Sequence, residues 1–215
     1  PQKKELVRNM FYGADTLKYR PIVDNFLDLG GACRGYGKFR NLETGDEELY
    51  GVFGNTLKKK AELLLSQFQT HDLRLVTAES CTGGLVSSCL TAIPGASEVV
   101  EGGIVSYSNH AKQTLLGVPS PLIVLHGAVS KEVVCAMAEG AVARTRADIA
   151  VAITGVAGPG GGTKEKPVGL VYFGVAWTNK PAKFISRRFK GKRSEIQLDS
   201  VDTALDFLLQ SVQKL

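Results

Sequence analysis

A chain of 215 residues with 44% apolar content is long enough for one full hydrophobic core plus an appendage. No apolar run approaches the roughly 20 residues of a membrane span, and the first twenty residues carry both signs of charge without the apolar stretch of a signal peptide. The net charge of +5 gathers late, in Lys180, Lys183, Arg187, Arg188, Lys190, Lys192 and Arg193, with no acid among them. Only Phe184 and Phe189 are interleaved there, so the stretch suits a solvated strand face or a phosphate-bearing ligand and not nucleic acid. Cys33, Cys81, Cys89 and Cys135 form no C-x-x-C pair and the three histidines are scattered, which argues against a structural zinc site and points to a reducing compartment.

In chain order, residues 1–55 differ from the rest. Glycines punctuate them, eight of the chain's fifteen Phe and Tyr residues fall there, and Ile22 to Leu29 supply one short helical pattern after Pro21. Such a segment does not bury itself but can dock on a partner, so it is read as an extension. Asn55 or Thr56 is expected to cap a helix to about Gln69, with Leu57, Ala61, Leu64, Leu65 and Phe68 on one stripe. Leu73 to Ala78 predicts a buried strand, and a helical pattern from about Thr82 runs to Pro94-Gly95. Val99 to Ser108 predicts a second strand with a bulge at Gly102-Gly103. Asn109 is expected to cap a short helix that Gly117 closes, and Ser130 to begin a longer one ending near Arg146.

Asp148 to Thr154 reads as a strand buried on both faces. A loop with glycines at 155, 158 and 160–162 follows. Pro167–Trp177 and Ala182–Phe189 then predict a hairpin turning at Asn179-Lys180-Pro181, and Ile196 to Val212 a last helix. The alternation defines an α/β fold over residues 56–215: a three-layer α/β/α sandwich on a mixed, mostly parallel sheet.

Ligands of such sheets gather at the carboxyl ends of strands. Three strand ends carry polar punctuation: Glu79-Ser80-Cys81-Thr82, Tyr107-Ser108-Asn109 with Lys112, and Thr154-Gly155 with the glycine loop. A hydroxyl at a strand-to-helix turn faces the positive end of a helix, a good place for a nucleophile whose substrate develops negative charge. The plainer alternative is that Ser80 or Thr82 caps that helix. Taken alone, Lys112 reads first as a surface lysine, Tyr107 as a half-buried strand aromatic, and the glycine loop as a connection as often as a phosphate cradle.

Five segments in this order, Thr77–Gly84, Tyr107–Lys112, His126–Ser130, Thr154–Pro159 and Lys166–Gly169, resemble the C-terminal domain of the CinA family (competence/damage-inducible protein) across residues 56–215. The resemblance implies a nicotinamide-nucleotide amidohydrolase, which converts nicotinamide mononucleotide to nicotinic acid mononucleotide and ammonia in pyridine-nucleotide salvage. It implies Ser80 as nucleophile, Lys112 as general base and Tyr107 beside them. Thr82, Gly83, Gly84, Thr154, Gly155, Gly158 and Arg193 would be on the substrate side. Gly83 and Gly84 N–H groups would stabilise the oxyanion and Arg193 would hold the phosphate. No metal or cofactor is expected. Two departures, Lys192 where the family usually has an acid and Gln197 where it often has an arginine, bear on substrate affinity or identity. Cys81 is a lesser candidate nucleophile. The expected partners are a small mononucleotide and either copies of the chain or a larger assembly joined through residues 1–55, in which the domain would be a non-catalytic subunit. The bacterial cytoplasm is the compartment the resemblance implies, with a mitochondrial matrix or plastid stroma as the alternative because the chain begins at Pro1 and not Met.

Overall fold

The computed structural model describes residues 53–213. The extension up to residue 52, with its expected helix and docking role, lies outside them. Helix α1 (Gly54–Thr70) buries Leu57, Ala61, Leu64, Leu65 and Phe68, the predicted stripe. It starts before the predicted caps: Phe53 precedes it, no side chain caps it, and Phe53 joins the core.

Strand β1 (Leu75–Glu79) is buried at every position. It leads into α2 (Leu85–Thr91), three residues later than Thr82, and then a 3-10 turn at Ala96–Glu98. Strand β2 (Val100–Val105) pairs parallel with β1, and its register slips between Val100 and Gly102, so the bulge places the extra residue at Glu101. Gly103 has a packing role instead: a Cβ there would lie 2.0 Å from Ser87 Oγ on α2.

Helix α3 (Asn109–Leu116) is capped by Ser108, whose hydroxyl accepts from Ala111 N–H at 3.0 Å, and not by Asn109. A short helix, α4 (Ser120–His126), was not foreseen. Ser130 caps α5 (Lys131–Ala143) as expected, accepting from Val133 N–H at 3.3 Å. Strands β3 (Ile149–Gly155), β4 (Leu170–Trp177) and β5 (Lys183–Arg188) precede α6 (Arg193–Val212).

The five strands form one mixed sheet in the order β2-β1-β3-β4-β5. β1 pairs parallel with β2 and β3, while the β3–β4 and β4–β5 ladders are antiparallel. β4 therefore runs against the other four. Ile149, Val151 and Ile153 pack with α1, α2 and α6, whereas Ala150 and Ala152 pack with α3 and α5, giving two cores and three layers. The alternation follows from the two-residue period of a strand.

Small residues on the second face let α5 sit close to the sheet. A Cβ at Gly174 would lie 2.7 Å from the Val134 carbonyl, and one at Gly140 only 1.9 Å from the Leu116 carbonyl. Both contacts are to backbone, so the elements would have to separate. Gly140→Ala is expected to lower stability by about 2 kcal/mol, overpacking outweighing the better helix propensity of alanine. Urea unfolding checks this, and a stabilised variant would refute it. The connections that leave β1 and β2 run over opposite faces, through α2 on one and α3 to α5 on the other, so the crevice beyond the carboxyl ends of these parallel strands is where a ligand of this sheet belongs.

Candidate active site

At that crevice the Ser80 N–H donates to the Ile153 carbonyl (3.0 Å), continuing the β1–β3 ladder one residue past the strand. Lys112 arrives from the other side. It shares the inward stripe of α3 with Leu116, one turn on, and is 1% exposed. Its Nζ lies 2.8 Å from Ser80 Oγ and donates to the Ser106 carbonyl at 2.8 Å and the Tyr107 carbonyl at 3.4 Å. These are three acceptors for an ammonium. In the neutral amine two protons go to the two carbonyls, and the lone pair is left facing the serine hydroxyl. Burial lowers the Lys112 pKa from 10.5 to about 8 and outweighs an opposing effect of Cys81.

The structure thus joins Ser80 to Lys112, and Lys112 is no surface lysine. Neither Ser80 nor Thr82 caps α2. The N-cap is Gly84, and the buried carboxylate of Glu79 takes the helix N–H groups, accepting from Gly84 and Val86 at 3.0 Å and from Ser87 at 2.8 Å. Sequence reasoning missed Glu79. The signal available was a carboxylate directly before the turn, but it caps from the strand and not from an N-cap position.

The glycines differ from expectation. Gly83 N–H donates to the Ser80 carbonyl at 3.1 Å and Gly84 N–H to Glu79, so both are engaged inside the turn and neither is open to an oxyanion. What these residues supply is left-handed backbone, with φ of 64° and 100°. Gly155 is pressed against β4, where a Cβ would meet Val171 Cγ2 at 2.7 Å. Thr82 Oγ1 is buried and has no hydrogen-bond partner among the described residues.

A second group assembles around Arg193, the first residue of α6. Its guanidinium donates to Tyr107 Oη at 3.0 Å and to the Gly158 carbonyl at 3.0 Å. The Tyr107 side chain, 60% exposed, therefore faces Arg193, while its carbonyl supports Lys112. Gln197, one turn into α6, donates to the Cys81 carbonyl at 2.8 Å and ties that helix to the turn that carries Ser80. Thr154 Oγ1 donates to the Ala128 carbonyl at 2.9 Å, Ser130 Oγ to Gly127, and Lys166 Nζ to His126, so three successive carbonyls of the 126–128 loop are fixed by side chains.

Burial pushes the Cys81 thiol up to about 12, with Lys112 and Arg193 opposing, so it is a neutral thiol at physiological pH and a poor nucleophile. Cavities of about 470 and 550 Å³ lie beside the start of α6 and between α3 and α5, and neither is lined by Ser80 or Lys112. Among the described residues no group of three or more His, Cys, Asp or Glu side chains gathers as a metal site, and no helix is long and apolar enough to cross a membrane.

Fold and site together define an α/β domain with a buried serine–lysine pair and an arginine at one edge of its sheet. The chain belongs to the family of the CinA C-terminal domain, whose family model matches residues 57–212. It is 44% identical over 186 residues to a CinA-like protein of Mycobacterium marinum, covering 86% of this chain and 43% of that one. A CinA-like protein of a Synechococcus species is 46% identical over 166 residues, covering 76% and 39%. The chain spans about two fifths of the length of the curated relatives it matches. Among solved structures, the competence/damage inducible protein CihA of Agrobacterium tumefaciens has a TM-score of 0.72 at 43% identity, covering 74% of this chain and 96% of that one. A CinA superfamily protein of Klebsiella pneumoniae has a TM-score of 0.71 at 30% identity, covering 74% and 99%.

Proposed function

We propose that the domain is an amidohydrolase that releases ammonia from the carboxamide of nicotinamide mononucleotide through Ser80 and Lys112. The observation that carries this reading is the 2.8 Å approach of a buried lysine, lowered to about 8, to a serine at a strand-to-helix turn. A serine hydroxyl attacks an amide only when a base takes its proton, and a lysine can serve when burial disfavours its charge. Neutral Lys112 accepts the Ser80 proton as Oγ bonds to the carboxamide carbon. The resulting ammonium returns that proton to the amide nitrogen, the C–N bond breaks, and ammonia leaves. Water then attacks the acyl-enzyme, giving a proton to Lys112, and Ser80 Oγ departs with it.

Thr82 Oγ1, buried and without a hydrogen-bond partner among the described residues, is an unsatisfied polar atom at this turn. Arg193 suits the phosphate, and its contact with Tyr107 Oη links phosphate recognition to a residue whose carbonyl accepts from the base. The departures at Lys192 and Gln197 leave the serine–lysine chemistry unchanged. Gln197 holds the nucleophile turn through the Cys81 carbonyl.

The rival reading, a non-catalytic subunit held through residues 1–55, gives no reason to bury Lys112 against Ser80. The deciding experiment is ammonia release from nicotinamide mononucleotide by the purified chain beside its Ser80→Ala variant. Equal release by both would overturn the reading. Arg193→Met is expected to lower kcat/KM about 30-fold, mainly through KM, as for loss of one charge-assisted contact. A fall confined to kcat would count against a phosphate role.

A further inference from the structure

The turn that carries Ser80 must satisfy the N–H groups of a helix start without using the nucleophile to do it. A helix leaves its first N–H groups unpaired, and the usual acceptor is a hydroxyl at the N-cap. Here the N-cap is a glycine, and two hydroxyls, those of Ser80 and Thr82, stand nearby in sequence. A capping role would fix the Ser80 lone pairs on backbone donors and turn the oxygen away from Lys112.

Glu79 takes that role from inside the sheet. It is wholly buried, and three backbone N–H groups of the α2 start converge on its two oxygens. The Thr77 and Ser87 hydroxyls add donors to Oε1 at 3.2 and 3.0 Å. They lie 2.6 Å from each other, so their two protons serve three contacts. Every backbone partner is a donor, as the acceptor oxygens of a carboxylate require.

The main chain of the same residue reaches the other half of the pair. The Glu79 carbonyl accepts from Ser106 N–H at 2.8 Å, and the Ser106 carbonyl accepts from Lys112 Nζ at 2.8 Å. One residue is tied to the nucleophile turn by its side chain and to the support of the base by its backbone.

We propose that Glu79 is a positioning residue for the serine–lysine pair: by capping α2 from β1, its carboxylate holds the Ser80–Gly84 turn in register with Lys112 and leaves the Ser80 hydroxyl free to react. The inference rests on the serine–lysine reading above. Glu79 contacts no substrate and exchanges no proton. Its effect is on where Ser80 Oγ stands.

Glu79→Gln tests this with little change of shape. An amide presents one oxygen and one NH2, and each carboxylate oxygen now faces at least one backbone N–H. Either orientation therefore sets a donor against a donor, and the turn must move. Displacements of about 1 Å at a reacting group cost about 100-fold in rate.

The readout is the rate at which a serine-directed fluorophosphonate phosphonylates Ser80 in the full chain, with fluoride as leaving group, followed by intact mass and peptide mapping across pH 6 to 10. This needs the nucleophile and its base but not the proposed substrate. For the parent, labelling at Ser80 is expected to rise with pH through about 8. For Glu79→Gln, folded protein is expected to react about 100-fold more slowly at the plateau with the same midpoint. A folded fraction reacting at the parental rate would make Glu79 a stabilising cap only and overturn the proposal, as would a shifted midpoint, which would place its action on the Lys112 charge. A parent unlabelled at Ser80 would remove the pair itself, and Glu79's role with it. If Glu79→Gln does not fold, the Thr77→Val/Ser87→Ala double variant decides: a plateau lowered at constant midpoint supports the proposal, and an unchanged plateau overturns it.

Discussion

Ser80→Ala is expected to reduce ammonia release from nicotinamide mononucleotide by at least about 10⁴-fold, nearly all of it in kcat. The substitution removes one oxygen from a residue that is 8% exposed, and the backbone bonds that shape the turn stay in place. Lys112 would keep its two carbonyl partners. Because the turn and Arg193 are untouched, the affinity for the mononucleotide should survive, and calorimetric titration can measure it separately from turnover. Loss of binding together with turnover would mean that the substitution disrupted the site, and turnover that persisted would exclude Ser80 as the nucleophile.

Lys112→Met is expected to do two things at once. Removal of the general base should lower kcat by about 10³-fold. The second effect is on stability and depends on pH. The folded pKa is lowered from 10.5 to about 8, so between these values the unfolded chain binds more protons than the folded one and parental stability rises with pH. Below pH 8 the full cost of burying the charge is present, on the order of 3 kcal/mol for a shift of this size. Methionine has no such cost at any pH. The stability of Lys112→Met relative to the parent should therefore be most favourable below pH 8 and decline by about 3 kcal/mol as pH rises to about 10.5. Lost hydrogen bonds to the Ser106 and Tyr107 carbonyls add a constant offset and do not alter that slope. Urea unfolding of both proteins at pH 6.5 and 10.5 isolates it, and a pH-independent difference would show that the lysine is not held in a lowered state.

Much of the sheet was legible because its residues announce their period. Ile149 to Ile153 is too short and too uniformly apolar to be anything but a strand covered on both faces, and the stripe of α1 repeats at three and four. Helix α4 was not legible for the opposite reason. Val124 and Leu125 are apolar yet 83% and 77% exposed, so Pro121 to Leu125 shows no polar face from which a helical period could be read. The resemblance named Ser80 and Lys112 together, but the residues alone left Lys112 open. A lysine on an α3 stripe with Leu116 looks like an exposed neighbour of the core until the carbonyls that receive its protons are known. Those carbonyls belong to Ser106 and Tyr107, and backbone acceptors leave no mark on a sequence. The engagement of Gly83 and Gly84 was hidden in the same way, because the acceptors are a preceding carbonyl and a strand carboxylate.

The reversal of β4 sets a parity rule for the edge of the sheet on which the last helix can begin. The chain leaves β3 at the Ser80 edge, crosses away along β4, and returns along β5. An even number of strands after β3 brings α6 back to start beside the Ser80 turn, with Arg193 as its first residue and Gln197 one turn further. With one strand fewer or one more, the same helix would begin at the opposite edge, a strand's length from Ser80. The hairpin turn around Asn179-Lys180-Pro181 lies at that opposite edge. It can lengthen without moving the arginine, whereas loss of either hairpin strand would separate the arginine from Ser80 and Lys112.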